Sequence, residues 1–331
     1  MTTESSTDDN HYKPNYRIET PPLYDWPPHP IAALRWLFFG LLFPWGFFFI
    51  ALAVVAWLFL TPTMATMSNL SVDWIALIWI RNAVLLTMVA GSLHWWLYSR
   101  QSQAKQYKFQ KQWLTTDNPL FLWGNQVWDN MFWSLISGVT IWTFFEVITL
   151  WIYASGKLPF MSIAEHPVYF ITGLLAVFFW STIHFYFNHR LLHWQPLYKI
   201  SHELHHRNVN IGPWTGISMH PLEHAIYFTL FMLWWVVPVH PIIILLTGFY
   251  QGISPAISHS GFDQVILKGK TRVSSGDWFH ELHHQYFNFN YGNTPTPLDK
   301  LFGSWHDGSA ESLQFQKLRL RKNRRKTNAP T

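Results

Sequence analysis

The amino-acid sequence predicts an all-α, polytopic membrane protein, and three observations support this fold class. Hydrophobic residues make up 49% of the 331 residues and charged residues only 12%, which is about half the charged fraction of a typical soluble domain. Four apolar stretches reach the roughly 20 residues that a membrane-spanning helix needs. Histidine is concentrated in one region, because thirteen of the 18 histidines fall between His184 and His284. We therefore expect a membrane domain with a cluster of histidines at one surface.

The four apolar stretches are the predicted transmembrane helices. The first follows TPPLYDWPPHP, whose prolines indicate an ordered approach to the membrane. The third stretch is less uniformly apolar, because the polar residues Asp129 and Asn130 lie near its start. The predicted spans cover about residues 36–60, 74–98, 127–153 and 168–187.

A fifth apolar stretch, residues 225–257, predicts a hairpin instead of a straight span. Its length would allow one tilted helix, but VVPVHP lies in its middle. Proline removes a helical hydrogen bond and clashes with the preceding turn. We expect two shorter helices folded back on each other as a re-entrant hairpin, with the irregular backbone buried by protein.

The distribution of Lys and Arg predicts the orientation. Arg100, Lys105, Lys108 and Lys111 lie between spans two and three, whereas residues 61–73 between spans one and two contain no Lys or Arg. Short basic loops stay in the cytoplasm. Both termini and all histidine clusters are then predicted on the cytoplasmic side, in a helical cap, and the sequon at Asn69 faces away from it. The basic stretch RLRKNRRK near the C-terminus fits an anionic lipid surface better than a nucleic acid.

Two compositional features exclude other classes. The chain has no cysteine, which excludes disulfides, thiolate metal sites and a cysteine nucleophile. Its opening, MTTESSTDDN, is polar and acidic. Because a cleaved signal peptide begins with a positive segment, we expect the first span to act as the membrane signal.

Three histidine clusters have the spacing of metal ligands. HRLLH places two histidines four residues apart, and HELHH, which occurs twice, places three at i, i+3 and i+4. On a helix these spacings put the members of a cluster on one face. Neutral imidazole suits iron, zinc, copper and nickel. Eight nitrogens exceed what one ion binds, so two ions are predicted, at His189, His193, His202, His205, His206, His280, His283 and His284.

HELHH also satisfies the HExxH pattern of zinc proteases, so a zinc hydrolase is an alternative of another class. That pattern supplies two zinc ligands and a glutamate base. Here each copy has an additional histidine, the motif occurs twice and a third cluster precedes it. HxxHH is therefore the simpler unit, with Glu203 and Glu281 in a variable position. A metal-storing or transporting protein is a third class, but transport predicts ionisable residues through the spans, where Arg81 and His94 are the main ones in spans one to three.

The three motifs, in this order and after an apolar helix, resemble the histidine boxes of the fatty acid hydroxylase and sterol desaturase superfamily. MHPLEH (residues 219–224), SHSG (residues 258–261) and NYGNTPTPLDKLFGSW (residues 290–305) are similar to further segments of sterol-modifying members. The resemblance covers about residues 180–305. It divides the chain into a polar N-terminal tail (1–30), three transmembrane helices with the basic loop (31–154), a catalytic region (155–310) and a basic C-terminal tail (311–331).

The resemblance implies a non-haem diiron centre that uses O2 to oxidise a C–H bond of a lipid. It implies the eight histidines above as iron ligands, with His259 as a ninth. His220 and His224 are ligands or groups that hold ligands in place, and His184 is a ligand or a buried structural histidine. His94, His166, His240 and His306 are expected to be structural. Candidates for accepting a ligand's second N–H or for relaying protons are Glu203, Glu223 and Glu281.

Substrate, partners and location follow from the same resemblance. MHPLEH and the NYG segment favour a sterol-like lipid that enters from the bilayer, with a fatty acyl, ceramide or alkylglycerol lipid as the alternative. Hydroxylation and desaturation begin with the same hydrogen abstraction, so both remain open. No dinucleotide fingerprint follows a strand, and we expect an external electron donor such as a ferredoxin, cytochrome b5 or a reductase, with no nucleic-acid partner. The expected location is the endoplasmic reticulum in a eukaryote or the inner membrane in a bacterium.

Overall fold

Five helices in the described part of the chain are long and apolar enough to cross a membrane. The structure is a computed structural model that describes residues 10–327; the acidic opening residues 1–9 and the last four residues lie outside it. The first four helices confirm the four predicted spans, and each is a few residues longer than expected. They are α1 (Pro30–Phe59), α2 (Val72–Ser99), α3 (Gln126–Ala154) and α4 (Pro167–Leu192).

Helix α4 leads directly into the part of the chain that carries the second histidine box. A short helix, α5, covers residues 195–206. After a loop, α6 (Pro221–Tyr227) continues as a 3-10 helix, Phe228–Trp235. The chain then turns and enters α7 (Pro241–Ser258). Proline at the first position starts α6 and α7, where its missing N–H costs no hydrogen bond.

Residues 225–257 form two helical segments as predicted, but the second is a candidate fifth span where four spans and a re-entrant hairpin were expected. The chain breaks between Trp235 and Pro241, within VVPVHP, as the prolines predict. Helix α7 is 18 residues long and alone meets the length and composition of a fifth span. It is the most buried of the five and packs against α1, α2, α3 and α4. Helix α7 is therefore the central helix of the membrane domain. His259 directly follows its last residue.

The C-terminal region adds short elements that cover the ends of α4 and α7. Strands β1 (Gln264–Leu267) and β2 (Thr271–Ser274) form an antiparallel hairpin that the all-helical prediction did not include. Its tight turn uses Lys268 and Gly269, both with positive φ. The remaining helices are α8 (Trp278–Tyr286), α9 (Leu298–Leu301) and α10 (Ala310–Thr327). Shorter turns of helix occur at Pro22–Tyr24, Met64–Met67 and Leu122–Gly124.

The N-terminal segment, residues 10–21, lies across this C-terminal region. Tyr12 N–H donates to the Phe109 carbonyl at 2.7 Å, and Ile18 N–H donates to the Asp307 carbonyl at 3.0 Å. The Tyr16 hydroxyl donates to Asp263 Oδ1 at 2.7 Å. Part of the predicted N-terminal tail is thus fixed to the region that carries the histidine boxes.

A buried ion pair joins two of the membrane helices. Arg81 of α2 pairs with Glu146 of α3, and both are almost fully buried. Asn82 Nδ2 donates to Glu146 Oε2 at 3.0 Å, and Arg81 Nη1 donates to Thr61 Oγ1 at 3.0 Å. Charges at such a depth need partners. The sequence pointed to Arg81 but not to Glu146, whose role depends on the packing of α2 against α3.

Candidate metal centre

Four elements bring all nine predicted histidine ligands together. The end of α4 supplies His189, and His193 follows its last residue. Helix α5 supplies the second box, His259 ends α7, and α8 supplies the third box. All but one of the nine are buried, and His193 is half-buried. The set is His189, His193, His202, His205, His206, His259, His280, His283 and His284.

The nine histidines form two groups, within each of which the possible ligand atoms lie within 4.8 Å of one another. The five-histidine group contains His189, His193, His202, His206 and His283, and the four-histidine group contains His205, His259, His280 and His284. Each HxxHH box contributes to both groups. In α5 the first and last histidines join the larger group and the middle one the smaller, whereas α8 does the reverse. This division explains why a box needs three histidines instead of two.

The Nε2 atoms converge inside each group. His283 Nε2 lies 3.1 Å from the Nε2 atoms of His193 and His206. In the other group, His284 Nε2 lies 3.3 Å from His259 Nε2. Nitrogen ligands held at about 2.0–2.1 Å from one metal ion are separated by about 3 Å. The spacing within each group is therefore that of ligands around an ion.

Hydrogen bonds at Nδ1 fix the tautomer of several rings. His189 and His283 donate from Nδ1 to the carbonyls of Tyr291 and Phe289, both at 2.6 Å. A carbonyl can only accept, so Nδ1 carries the proton and Nε2 keeps its lone pair. This is the usual arrangement behind a metal-bound imidazole. His205 and His259 donate in the same way to the carbonyls of Ser218 and Pro255, at 3.4 and 3.0 Å.

Burial keeps the histidines neutral. It lowers the pKa of His205 to about 4 and the pKa of His259 to about 3. For His206 and His283, burial is the largest cause and neighbouring imidazoles lower the pKa further, well below its ordinary value. Only neutral imidazole binds a metal ion. The groups are thus in the ligand form at neutral pH.

Several ring nitrogens of the two histidine groups are buried without a hydrogen-bond partner in the described part of the chain, which indicates whether the groups fit metal ions. His280 has both ring nitrogens buried without a hydrogen-bond partner among the described residues, and Nδ1 of His206 and of His284 is also unpaired. An unpaired buried nitrogen costs about 1–3 kcal/mol, and a bound cation would satisfy the free lone pair of His280. Four and five neutral nitrogens also match the ligand numbers of first-row transition metals. The residues fit a pair of such ions.

Glu223, on α6, supports the five-histidine group. His202 Nδ1 donates to Glu223 Oε1 at 2.7 Å, and both side chains are about 1% exposed. The second oxygen, Oε2, has no partner among the described residues. Burial raises the pKa of Glu223 well above its ordinary value. Among the predicted candidates, this carboxylate is the one in contact with a histidine of the groups.

The other two glutamates lie elsewhere. Glu203 is exposed. Glu281 is buried and accepts from Gln110 Nε2 at 3.4 Å, and burial raises its pKa to about 7. A glutamate base of HExxH type would have to face the metal. Neither position favours the zinc hydrolase.

Three further predicted candidates are outside the two groups. His220 caps α6 by accepting from the Leu222 N–H at 3.2 Å. His224 lies 2.9 Å from Ser137 Oγ and 2.9 Å from the Ile217 carbonyl. His184 lies 2.9 Å from Thr229 Oγ1. The structure gives each of them a local partner and does not bring them to the nine histidines.

The segment after α8 holds the two carbonyls that orient His189 and His283. Asp299 accepts from the N–H groups of Tyr291 and Gly292 at 2.9 and 2.7 Å. Asn290, which has a positive φ, donates to the Phe279 carbonyl at 3.0 Å. The sequence marked this NYG segment as family-like, but it gave no sign that backbone oxygens were the functional groups.

A cavity of about 540 Å³ borders the histidine groups. Its walls come from α1, α4 and α7 and include Trp36, Phe49, Phe185 and Tyr250. Part of the N-terminal segment, residues 16–19 and 21, also lines it. Five of the nine histidines line it: His189, His202, His205, His259 and His280.

Comparison with known proteins finds similarity over the histidine-bearing part of the chain. A family model described as "Fatty acid hydroxylase" matches residues 174–304. That range contains all nine histidines and most of the cavity. No solved structure matches the chain significantly.

Curated relatives point to sterols. The chain is 29% identical over 144 residues to a Delta(7)-sterol 5(6)-desaturase of Eremothecium gossypii, covering 42% of this chain and 39% of the relative. It is 31% identical to the corresponding Saccharomyces cerevisiae protein, covering 40% and 36%. Identity is 34% to methylsterol monooxygenase 1 of Gallus gallus, covering 41% and 48%. The matched part therefore spans less than half the length of these relatives.

Proposed function

We propose that the chain, which is similar to fatty acid hydroxylases and to sterol-modifying relatives, is a member of the fatty acid hydroxylase and sterol desaturase superfamily and an O2-dependent, non-haem diiron oxidoreductase of the membrane. It hydroxylates or desaturates a C–H bond of a lipid. The observation that carries the proposal is the pair of histidine groups, five and four residues, at the end of a cavity lined by membrane helices.

Iron fits the proposed chemistry better than zinc does. Zinc has no accessible redox change, whereas two iron ions supply and accept the electrons that pass to O2 when a C–H bond is oxidised. The five-histidine group would hold one ion and the four-histidine group the other. All nine ligands are then neutral nitrogens, which suits a transition metal and not a hard cation such as magnesium.

The chain's own residues position the ligands and exclude water. Backbone carbonyls hold the rings of His189 and His283, and Glu223 holds His202. Rigidly held groups avoid the cost of reorganisation during a reaction. Burial of the histidines keeps bulk water from the site.

A sterol-like lipid is the favoured substrate. The relatives named above are sterol-modifying proteins, and a cavity of about 540 Å³ lies within the range of sites for single small molecules. Its walls belong to α1, α4 and α7, so a lipid can approach from the bilayer. A fatty acyl, ceramide or alkylglycerol lipid is the alternative.

Electrons would come from a separate donor on the cytoplasmic side. The basic residues between α2 and α3 support a cytoplasmic position for the histidine-bearing end of α4, under the positive-inside rule. A ferredoxin, cytochrome b5 or a reductase is the expected donor. The compartment would be the endoplasmic reticulum or a bacterial inner membrane.

The test is lipid oxidation by purified, iron-loaded protein in nanodiscs, with O2 and a reducing system. Sterols and acyl lipids are supplied in parallel, and mass spectrometry detects the gain of one oxygen or the loss of two hydrogens. His202→Ala should abolish the product, whereas Glu203→Ala, at the adjacent exposed position, should leave it nearly unchanged. Hydrolysis in place of oxidation, lost equally in both variants, would favour the zinc hydrolase.

A further inference from the structure

Two polar side chains on the membrane side of the cavity lack hydrogen-bond partners. Ser181 of α4 and Gln251 of α7 both line the cavity, and they are 3% and 4% exposed. Ser181 Oγ and Gln251 Nε2 are buried and unpaired within the described residues. Buried polar atoms are nearly always paired, so each such atom requires an explanation.

The two residues occupy equivalent positions relative to the centre. Ser181 precedes His189 by eight residues in α4, and Gln251 precedes His259 by eight residues. At about 1.5 Å per residue, each lies about 12 Å along its helix from a histidine of the groups. Helices α4 and α7 pack against each other. The two polar atoms therefore lie at similar depth on adjoining walls of one cavity.

Aromatic residues flank this part of the cavity. The rings of Phe49 and Phe178 contact the ring of Tyr250, with centroids 5.7 and 4.9 Å apart. Among the described residues that line the cavity, Arg17 of the N-terminal segment is the one Lys or Arg. A carboxylate or phosphate bound beside Ser181 would thus lack a cation from the wall, and burial of an unpaired charge is strongly unfavourable.

We propose that Ser181 and Gln251 bind the hydroxyl group of a neutral lipid in this cavity. Gln251 Nε2 donates to the hydroxyl oxygen, and the hydroxyl donates to Ser181 Oγ. A hydroxyl is both donor and acceptor, so it suits this pair, whereas a hydrocarbon leaves both atoms unpaired. This inference rests on the proposed function, since it assigns the substrate class of the same cavity: a lipid alcohol instead of a free acid or a phospholipid.

Binding of matched lipid pairs tests the assignment. The probes are cholesterol and a long-chain fatty alcohol, each with its counterpart lacking the hydroxyl, bound to iron-loaded protein in nanodiscs without reductant, so that no oxidation occurs. At least one alcohol should bind the wild type roughly tenfold or more tightly than its counterpart, because a site built for a hydroxyl discriminates against its loss. Ser181→Ala and Gln251→Met should remove most of this preference.

Thr172→Ala is the control, because it removes a hydroxyl from an exposed position of the same helix, and it should keep the preference. Ser181→Ala should not lower the melting temperature, because Ser181 Oγ has no partner to lose. Equal binding of alcohol and counterpart, no binding of any alcohol, or an unchanged preference in Ser181→Ala and Gln251→Met would overturn the inference. Preference without any lipid oxidation would instead contradict the proposed function alone.

Discussion

Replacement of Glu223 tests how the chain holds its proposed iron ligands. Glu223→Ala removes the acceptor of the His202 Nδ1–H, a hydrogen bond of 2.7 Å between two buried groups. His202 would then be free to rotate or to change tautomer. Glu223→Gln keeps an acceptor oxygen without the charge, so it should retain part of the effect.

The expected magnitude follows from the hydrogen bond. Loss of a partner behind a metal ligand typically costs about 10- to 100-fold in metal affinity. We expect Glu223→Ala to weaken iron binding by roughly that factor at one of the two sites. Glu223→Gln should weaken it by less than tenfold.

Competition with a chelator, followed by the iron content that remains, measures this change. Glu203→Ala is the matched control, because Glu203 follows His202 directly but is exposed. Wild-type iron affinity in Glu223→Ala would refute the reasoning, as would an equal loss in Glu203→Ala. Loss of both irons together would show that the two groups bind as one unit, which the structural division into separate groups does not predict.

Four further predictions follow from other contacts. Asp299→Ala should loosen the backbone that orients His189 and His283 and should lower iron retention, measured by metal analysis after dialysis. Tyr16→Phe, which removes the hydrogen bond to Asp263, should weaken lipid binding severalfold while iron content stays unchanged. Arg81→Met should lower the free energy of unfolding by about 3–5 kcal/mol, because it leaves a buried carboxylate unpaired. The double variant, Arg81→Met with Glu146→Leu, should recover most of the wild-type melting temperature. A double variant that does not recover would contradict this explanation. Removal of iron by a chelator should lower the melting temperature, because a ligand that binds only the folded state stabilises it, and an unchanged transition would argue against a metal in the folded protein.

The membrane helices were predictable because their signal is local. Long apolar stretches bounded by prolines and polar residues define α1 to α4, and VVPVHP marks the break before α7. The turn at Lys268 and Gly269 was missed, since two four-residue strands give only a weak alternating pattern. Glu146 was missed for another reason, because its partner Arg81 lies on a different helix.

The histidine centre was predictable in part. Spacing within each box defines which histidines share a helix face, and the boxes together required two ions. Spacing does not define which box members meet across helices, so the division into five and four appeared only in the structure. The carbonyls of Phe289 and Tyr291 could not be identified, because a backbone oxygen is present at every residue. Ser181 and Gln251 likewise become notable only once the cavity between α4 and α7 is known.

Metal content and a Mössbauer spectrum of the purified protein test the central claim most directly. The protein is produced with ample iron, solubilised in detergent and measured before any substrate is added. We expect two irons per chain in a nitrogen-rich, magnetically coupled site, and His202→Ala should lose at least one of them. One tightly bound zinc, with no uptake of iron under reducing conditions, would contradict the diiron centre and restore HELHH as a hydrolase motif.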